Sequence, residues 1–353
     1  MNNILVFGIG NYYEKKKKSL TEAYNIIAFI DNKKSGIIDN VPIITPSEII
    51  KFDYDYIIIM SGAAFVQMTN QLIDLGVEVN KILYGLNFDP YLSAEEHLFG
   101  ENGRIFINED KEICYITKGE PKVEIAIRTM EEFFGVREIF GGKIYGYNIN
   151  YSNGEVVIDI GLNIGDSALY FAMQDKVTNV YGFEPFKETF KQAQRNIKRN
   201  KNISEKIKIY QYGMGKEDKK IEITYNPNMS CGMSTDVTSN EHAICNYLEW
   251  GLIDTEKSKI SNVEIKNVSN IVKSIMDNHL KECYILKMDC EGAEYEIIQK
   301  LSDSMHLSKF SIIMLEWHYS GSKLIEDLLV KNGFSYFIFN KVKGMGVIYA
   351  YNK

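Results

Sequence analysis

The sequence predicts an α/β protein in which a doubly wound, mostly parallel sheet follows a smaller α/β domain of the Rossmann type. Short apolar runs rich in β-branched residues alternate with helical patterns, as buried parallel strands and their crossover helices do. A glycine turn follows the first strand of each half of the chain. With 353 residues, the chain is long enough for two domains with separate cores.

Composition excludes several classes of partner. The formal net charge of −7 argues against nucleic acid as the main partner, because phosphate binding favours a basic face. No run of about 18 apolar residues predicts a membrane span, and the strand-like start of the chain predicts no signal peptide. The five cysteines lack zinc-site spacing, so we expect reduced thiols and a cytoplasmic protein.

The first domain is predicted over residues 1–85. Gly8 and Gly10 follow its first strand, and a second strand ends in an acid about 20 residues later, as a dinucleotide-binding half requires. Tyr13 stands where a third glycine would bring helix and strand together, so the fingerprint is incomplete. A bound dinucleotide and a docking or recognition module both remain open. Through residues 29–31 and 41–43, the segment resembles the sugar-nucleotide-binding half-domain found ahead of some bacterial glycan-modifying enzymes.

Residues 86–150 are predicted as a connecting, strand-rich subdomain. Short strands are expected near residues 104–107 and 113–116, a helix over 124–134 and another strand over 143–147. The third domain is predicted over residues 151–353.

The chain is organised around residues 156–167, a buried strand that runs into a glycine turn and then a helix. Gly161 and Gly165 carry no Cβ, so the backbone there can lie against a ligand. The helix opens at Asp166 and Ser167, and its first N–H groups point toward that ligand. This stretch is therefore predicted to bind a cofactor.

Ligands of an open α/β sheet bind beyond the carboxyl ends of its strands. Acidic residues end four of the five strands predicted there, and Lys287 is the main basic residue. Such an edge suits a sulfonium cation with ribose hydroxyls better than a pyrophosphate. Glu184, 23 residues after Gly161, is placed to accept hydrogen bonds from both ribose hydroxyls. The strand-end residues are Asp159, Gly161, Asn163, Gly165, Glu184, Gly213, Asp289, Glu291, Glu316, Trp317 and His318.

Two further features belong to this domain. The polar segment 226–262 is too long for a simple connection, so it is predicted as a lid or substrate loop. The last two strands, over residues 334–339 and 346–351, have no helix between them and should form an antiparallel hairpin.

Four motifs in this order, at residues 159–166, 182–185, 286–294 and 315–318, resemble the FkbM family of S-adenosylmethionine-dependent methyltransferases. The resemblance spans about residues 156–351. It implies a class I methyltransferase sheet with an antiparallel last strand. It also implies methyl transfer from S-adenosylmethionine, usually to a hydroxyl oxygen of a sugar, glycan or polyketide-like acceptor.

Matching positions imply which residues line the cofactor. Leu162, bulky where a small residue is usual, and the stretch 210–213 depart from the family pattern, and the second leaves the adenine contacts open. The predicted cofactor-binding residues are Asp159, Gly161, Asn163, Gly165, Asp166, Ser167, Glu184, Pro185, Gly213 and Asp289.

A methyl acceptor must lose a proton to a base. His318 is the first candidate, because it lies at a strand's carboxyl end and titrates near neutrality. Asp289 and Glu291 are the alternative base. The two acids could also hold a divalent metal, but we prefer the interpretation that they order the loop and the following helix. No metal is therefore predicted.

The preferred function is O-methylation of a sugar, glycan or related small-molecule hydroxyl. Two alternatives stay open: a nucleotide-sugar or NAD-dependent enzyme centred on the first domain, and a non-catalytic binding protein with a methyltransferase fold. The sequence does not name the acceptor, and a homo-oligomer remains possible.

Overall fold

The computed structural model describes residues 1–61, 64–84, 103–108, 110, 112–117, 119–142, 144–147, 153–249, 253, 255–342 and 344–352. It divides into two compact units, the first of residues 1–142 with 246–256 and the second of residues 143–245 with 257–353. The division into three domains stays a prediction, because much of 86–150 lies outside the described residues.

The first unit contains a six-stranded sheet and a three-stranded antiparallel sheet. Its elements are β1 (Asn3–Phe7), α1 (Asn11–Ala23), β2 (Asn25–Ile30), β3 (Gly36–Ile38), β4 (Val41–Ile44), β5 (Tyr56–Ile59), α2 (Phe65–Asp74), β6 (Ile82–Tyr84), β7 (Gly103–Ile107), β8 (Ile113–Thr117), β9 (Glu124–Ala126) and α3 (Met130–Phe140). The larger sheet has the order β3-β4-β2-β1-β5-β6 and is parallel except for β3. This is the Rossmann-type arrangement that the sequence predicts.

The turn after β1 departs from a dinucleotide-binding turn at the position of the third glycine. Tyr13 is buried there, and its ring meets Phe29 of β2 edge-on, with 5.1 Å between ring centroids. Gly8 has a φ of +103°, a conformation that side chains rarely adopt. An aromatic pair therefore spaces helix and sheet where a small residue would let them approach closely.

The predicted helix over 124–134 is wrong in its position. Residues Glu124–Ala126 form β9 and pair with β8, and the helix begins only at Met130. The Thr129 side chain accepts a hydrogen bond from the backbone N–H of Glu132, which caps the helix start. The predicted strand over 143–147 is also not a strand, because the described residues 144–147 form a turn followed by irregular backbone.

The second unit is built on a seven-stranded sheet. Its elements, with the helix that crosses into residues 246–249, are β10 (Glu155–Ile160), α4 (Asp166–Ala172), β11 (Val177–Phe183), α5 (Lys187–Arg199), β12 (Ile207–Tyr210), β13 (Gly213–Gly215), β14 (Lys219–Tyr225), α6 (Val237–Glu249), β15 (Lys259–Asn267), α7 (Val268–Asp277), β16 (Cys283–Met288), α8 (Glu294–Asp303), β17 (Ile312–His318), α9 (Lys323–Lys331), β18 (Phe334–Val342) and β19 (Met345–Asn352). Single 3₁₀ turns lie at Pro46–Lys51, Val79–Lys81, Ser204–Lys206, Thr255–Lys257 and Leu307–Lys309.

The strand order of this sheet is β12-β11-β10-β16-β17-β19-β18. The first five strands are parallel, whereas β19 lies antiparallel between β17 and β18. The order reverses at β10, and this switch point is where open α/β sheets bind their ligands. The structure thus confirms the doubly wound sheet with an antiparallel last strand.

Register brings the functional strand ends together. Strand β10 is buried along its whole length and pairs with β16 so that Asp159 lies beside Lys287. Strand β17 pairs with the other edge of β16. The loops after β10, β16 and β17 therefore leave the sheet next to one another.

The predicted lid or substrate loop over 226–262 contains regular structure. Helix α6 covers residues 237–249, and β15 begins at Lys259 and pairs antiparallel with β14. These two strands and β13 form a separate three-stranded sheet. The prediction missed β15 because this strand exposes polar side chains on one face.

No helix in the described part of the chain is both long enough and apolar enough to cross a membrane.

Candidate active site

The turn after β10 has a left-handed backbone at three positions. Gly161, Asn163 and Gly165 have φ angles of +84°, +50° and +87°. A Cβ on Gly161 would lie 1.7 Å from the backbone oxygen of Asp289, so this turn packs directly on the loop after β16. Glycine is therefore required at position 161 by both conformation and space.

The variant Gly161→Ala should lose stability through two effects. A left-handed alanine costs about 1–2 kcal/mol, and relieving the contact with Asp289 adds about 1–3 kcal/mol. Urea unfolding of the purified chain measures the sum. Gly321→Ala is the matched control, because Gly321 has a φ of +78° but no atom lies within 4 Å of the place that its new Cβ would take. Equal losses in the two variants would contradict the close contact.

A buried ion pair lies beneath the turn. Asp159 is fully buried; its Oδ1 lies 3.1 Å from Nζ of Lys287, and its Oδ2 accepts a 2.6 Å hydrogen bond from the Ser167 hydroxyl. Lys287 also donates to the backbone oxygen of Gly161 at 2.6 Å. Asp159 and Ser167 thus hold the turn from below, and their contact with the cofactor stays a prediction.

Asp166 is also buried, at the first turn of α4. Its Oδ1 accepts a hydrogen bond from the backbone N–H of Ser167, and burial raises the pKa of this carboxyl to about 7. The side chain therefore contributes to the start of the helix.

Glu184 closes the opposite side of the turn. Its Oε2 accepts a 3.0 Å hydrogen bond from the backbone N–H of Asn163, and its Oε1 accepts a 2.9 Å bond from that of Phe186. Burial raises the pKa of this carboxyl to about 8. The Asn163 side-chain oxygen is buried without a hydrogen-bond partner among the described residues. That oxygen is a polar group left for a ligand to satisfy.

The bulky Leu162 is accommodated inside the fold. It is fully buried, and a Cβ on Gly182 of β11 would lie 2.7 Å from its Cδ1. The absence of a side chain at Gly182 thus leaves room for the bulky Leu162.

Pro185 and Gly213 are neighbours at the end of the sheet. A Cβ on Gly213 would lie 2.8 Å from Cδ1 of Ile265 and 3.4 Å from Cβ of Pro185. Nearby, the ring of Tyr210 stacks on Phe183 with 5.3 Å between centroids. Packing alone thus explains the glycine at 213, and its contact with a cofactor stays a prediction.

The three candidate bases converge. Asp289 and Glu291 follow β16, His318 ends β17, and one donor atom from each lies within 4.8 Å of the others. The His318 side chain is 6% exposed, and its Nε2 lies 3.6 Å from Oε2 of Glu291. We call these three residues the carboxylate–histidine cluster.

Glu294, the first residue of α8, organises this cluster. It is fully buried, and its carboxylate accepts hydrogen bonds from the backbone N–H groups of Cys290 and Gly292. Its Oε1 also lies 2.8 Å from Nδ1 of His318, which donates because a carboxylate has no proton to give. In the sequence, Glu294 is recognisable only as an acid in the first turn of a helix that follows a glycine. That pattern does not indicate that His318 is its partner.

Charges in the cluster are coupled. Burial alone would lower the pKa of His318, but Glu291, Glu294 and Asp289 outweigh it and hold that pKa well above its usual value. Burial raises the pKa of Glu291 to about 7. His318 and Glu291 therefore titrate as a pair.

The backbone around the cluster is strained. Glu291 and Tyr319 have φ angles of +55° and +64°, which residues other than glycine adopt at a cost and often at functional sites. The hydroxyl of Tyr295 donates to the backbone oxygen of His318 at 2.7 Å and secures this turn. Tyr319 and Glu291 share a hydrogen bond between their side chains.

Sequence reasoning missed Tyr145. Its hydroxyl lies 3.4 Å from Oδ2 of Asp289, and its ring stacks on Phe171. The residue is 144 positions away from Asp289, in a segment predicted as a strand of another subdomain, so no local signal could have revealed the contact.

The remaining histidines and tryptophans divide between core and surface. His279 and His306 are buried, and their rings contact Tyr181 and Ser269, respectively. Trp317 is core, with 2% exposure. His97 and Trp250 lie outside the described residues.

Comparison with known proteins decides the family. Residues 159–336, slightly more than half of the chain, match the Methyltransferase FkbM domain. The chain belongs to the FkbM methyltransferase family. Residues 1–83 of this FkbM methyltransferase match a second family, described as C2185-like, N-terminal.

Relatives of this FkbM methyltransferase include two curated fungal proteins. Methyltransferase 1 of Beauveria bassiana is 29% identical over 178 residues, which cover 49% of this chain and 69% of that protein. Methyltransferase sdnD of Sordaria araneosa is 26% identical over 224 residues, which cover 59% and 84%.

A solved FkbM methyltransferase from Methylobacillus flagellatus is similar at 13% identity and a TM-score of 0.39, covering 99% of this chain and 90% of its own.

Proposed function

We propose that this methyltransferase uses S-adenosylmethionine to methylate a hydroxyl oxygen of a sugar, glycan or related small molecule. One observation carries the proposal: the turn after β10, the Glu184 carboxylate and the carboxylate–histidine cluster meet at the carboxyl edge of one sheet. We also propose a cytoplasmic location and no nucleic-acid partner, in keeping with the acidic composition.

The residues at the turn fit S-adenosylmethionine. Glu184 offers a carboxylate to ribose hydroxyls, and Asn163 has a buried side-chain oxygen for a ligand to satisfy. When bound, S-adenosylmethionine supplies an electrophilic methyl group. Asp159 and Lys287 hold the turn in place from below.

The cluster takes the proton from the acceptor hydroxyl. Positioning supplies much of the catalysis in a displacement of this kind, so the cluster must also orient the hydroxyl. Nδ1 of His318 is held by Glu294, which leaves Nε2 facing Glu291. We propose that His318 and Glu291 act as a pair, with Asp289 beside them.

Calorimetric titration with S-adenosylhomocysteine, NAD and a UDP-sugar, each alone, tests the proposal. We expect micromolar binding of S-adenosylhomocysteine and none of the other two at that concentration, because Tyr13 fills the turn of the first unit. Binding of NAD or the UDP-sugar without S-adenosylhomocysteine would move the active centre to the first unit and overturn the assignment.

A further inference from the structure

The carboxylate–histidine cluster has the composition of a metal centre. Two carboxylates that follow β16 and one imidazole at the end of the adjacent strand β17 each contribute one donor atom, and these three atoms lie within 4.8 Å of one another. We propose that Asp289, Glu291 and His318 bind one divalent transition-metal ion, Mn²⁺ or Zn²⁺, next to the turn after β10. Occupancy of this site stands on its own geometry, whereas its role in catalysis rests on the proposed function.

The environment of the imidazole supplies a second, independent observation. Nε2 of the buried His318 lies 3.6 Å from Glu291 and 3.8 Å from Oε1 of Glu316, and both distances exceed hydrogen-bond range. Donor atoms held about 2.1 Å from one ion in tetrahedral geometry lie about 3.4 Å apart. The spacing of Nε2 and Glu291 is thus that of two ligands of one ion.

The other face of the imidazole is prepared for ligation. Nδ1 donates to Glu294 at 2.8 Å, which turns Nε2 into the cluster, where a bound ion would take the place of the Nε2 proton. Histidine ligands usually donate their second N–H to a carboxylate in this way, which fixes the ring and strengthens the ligand. Tyr145 lies 3.4 Å from Asp289 and supports the carboxylate ligand similarly.

Charge favours a cation here. The carboxylates of Asp289, Glu291, Glu294 and Glu316 surround a single imidazole, while the buried Lys287 is paired with Asp159 at 3.1 Å. A divalent ion would balance this excess. Imidazole with carboxylates suits Mn²⁺ and Zn²⁺, whereas Mg²⁺ and Ca²⁺ prefer oxygen ligands alone.

Three protein ligands leave coordination positions open to water or to the acceptor oxygen. An ion there would hold the acceptor hydroxyl and make it more acidic. His318 would then act as a ligand, and loss of activity on its replacement would follow from loss of the ion.

The full chain, stripped with EDTA, is titrated with MnCl₂ and the free Mn²⁺ is followed by electron paramagnetic resonance; ZnCl₂ is titrated calorimetrically. We expect one site per chain with micromolar affinity for one of these ions. Asp289→Asn and Glu291→Gln should each weaken it by at least about tenfold, as loss of a ligand does. Glu222→Gln, an exposed acid on β14, is the matched control and should bind as the parent chain does.

Circular dichroism shows that each variant is folded, and S-adenosylhomocysteine binding by the parent chain and by Glu291→Gln separates the two proposals. Millimolar or weaker affinity for both ions, or unchanged affinity in Glu291→Gln and Asp289→Asn, would overturn the metal site. S-adenosylhomocysteine binding with no ion binding would leave the proposed function standing and the metal inference wrong. Ion binding without S-adenosylhomocysteine binding would leave the metal site standing and the proposed function wrong.

Discussion

Glu184→Ala should reduce the affinity for S-adenosylhomocysteine by about 10²–10⁴-fold. Two hydrogen bonds from ribose hydroxyls to a charged carboxylate contribute about 1.5–3 kcal/mol each, and the variant loses both. The carboxylate also holds the backbone N–H groups of Asn163 and Phe186, so the turn loses its support. Calorimetric titration measures the change, and circular dichroism establishes that the variant is folded.

The same carboxyl should make binding depend on pH. Burial raises its pKa to about 8 in the free protein. Below that pH, the carboxyl must therefore lose a proton before it accepts hydrogen bonds from both ribose hydroxyls. Affinity should therefore rise with pH, by at most about tenfold per unit, and level off above pH 8. Glu184→Gln cannot ionise and should flatten this part of the profile. Unchanged affinity in Glu184→Ala would remove Glu184 from the cofactor site.

His318→Ala should lower the turnover number by about 10²–10⁴-fold while S-adenosylhomocysteine binds within about threefold of the parent affinity. The imidazole lies in the carboxylate–histidine cluster, whereas the cofactor turn is held by Asp159, Lys287 and Glu184. Turnover with an acceptor hydroxyl and calorimetric titration give the two values.

His306→Ala is the matched control for loss of a buried histidine. His306 is 9% exposed and contacts Ser269, away from the strand ends. It should leave the turnover of the folded fraction unchanged. Near-parental turnover in His318→Ala, with cofactor binding intact, would remove His318 from the reaction in either role, as proton acceptor or as metal ligand.

Local patterns were sufficient to locate the turn after β10. Gly161 and Gly165 were recognisable because a positive φ after a buried strand demands glycine, and both have that conformation. Glu184 was recognisable because strand ends of a parallel sheet share one edge. The resemblance of the four motifs to FkbM methyltransferases is confirmed by the matching domain.

Other roles depend on which groups a side chain meets after folding. Asp159 reads as a ligand-facing acid in the sequence, but the register of β10 against β16 pairs it with Lys287. Glu294 reads as an ordinary acid at a helix start, and only the folded loop brings His318 to it. The regular structure of β15 was hidden because the side chains on one of its faces lie toward solvent.

The fold class, the succession of buried strands along the chain, the glycine turn and the acidic edge could all be predicted from the residues. These follow from hydrophobic periodicity and backbone conformation, which are properties of neighbouring residues. Only the folded structure shows which acids are paired and that Asp289, Glu291 and His318 form one cluster, with Tyr145 beside it. Those outcomes depend on register and burial, because the interacting atoms belong to residues far apart in the chain.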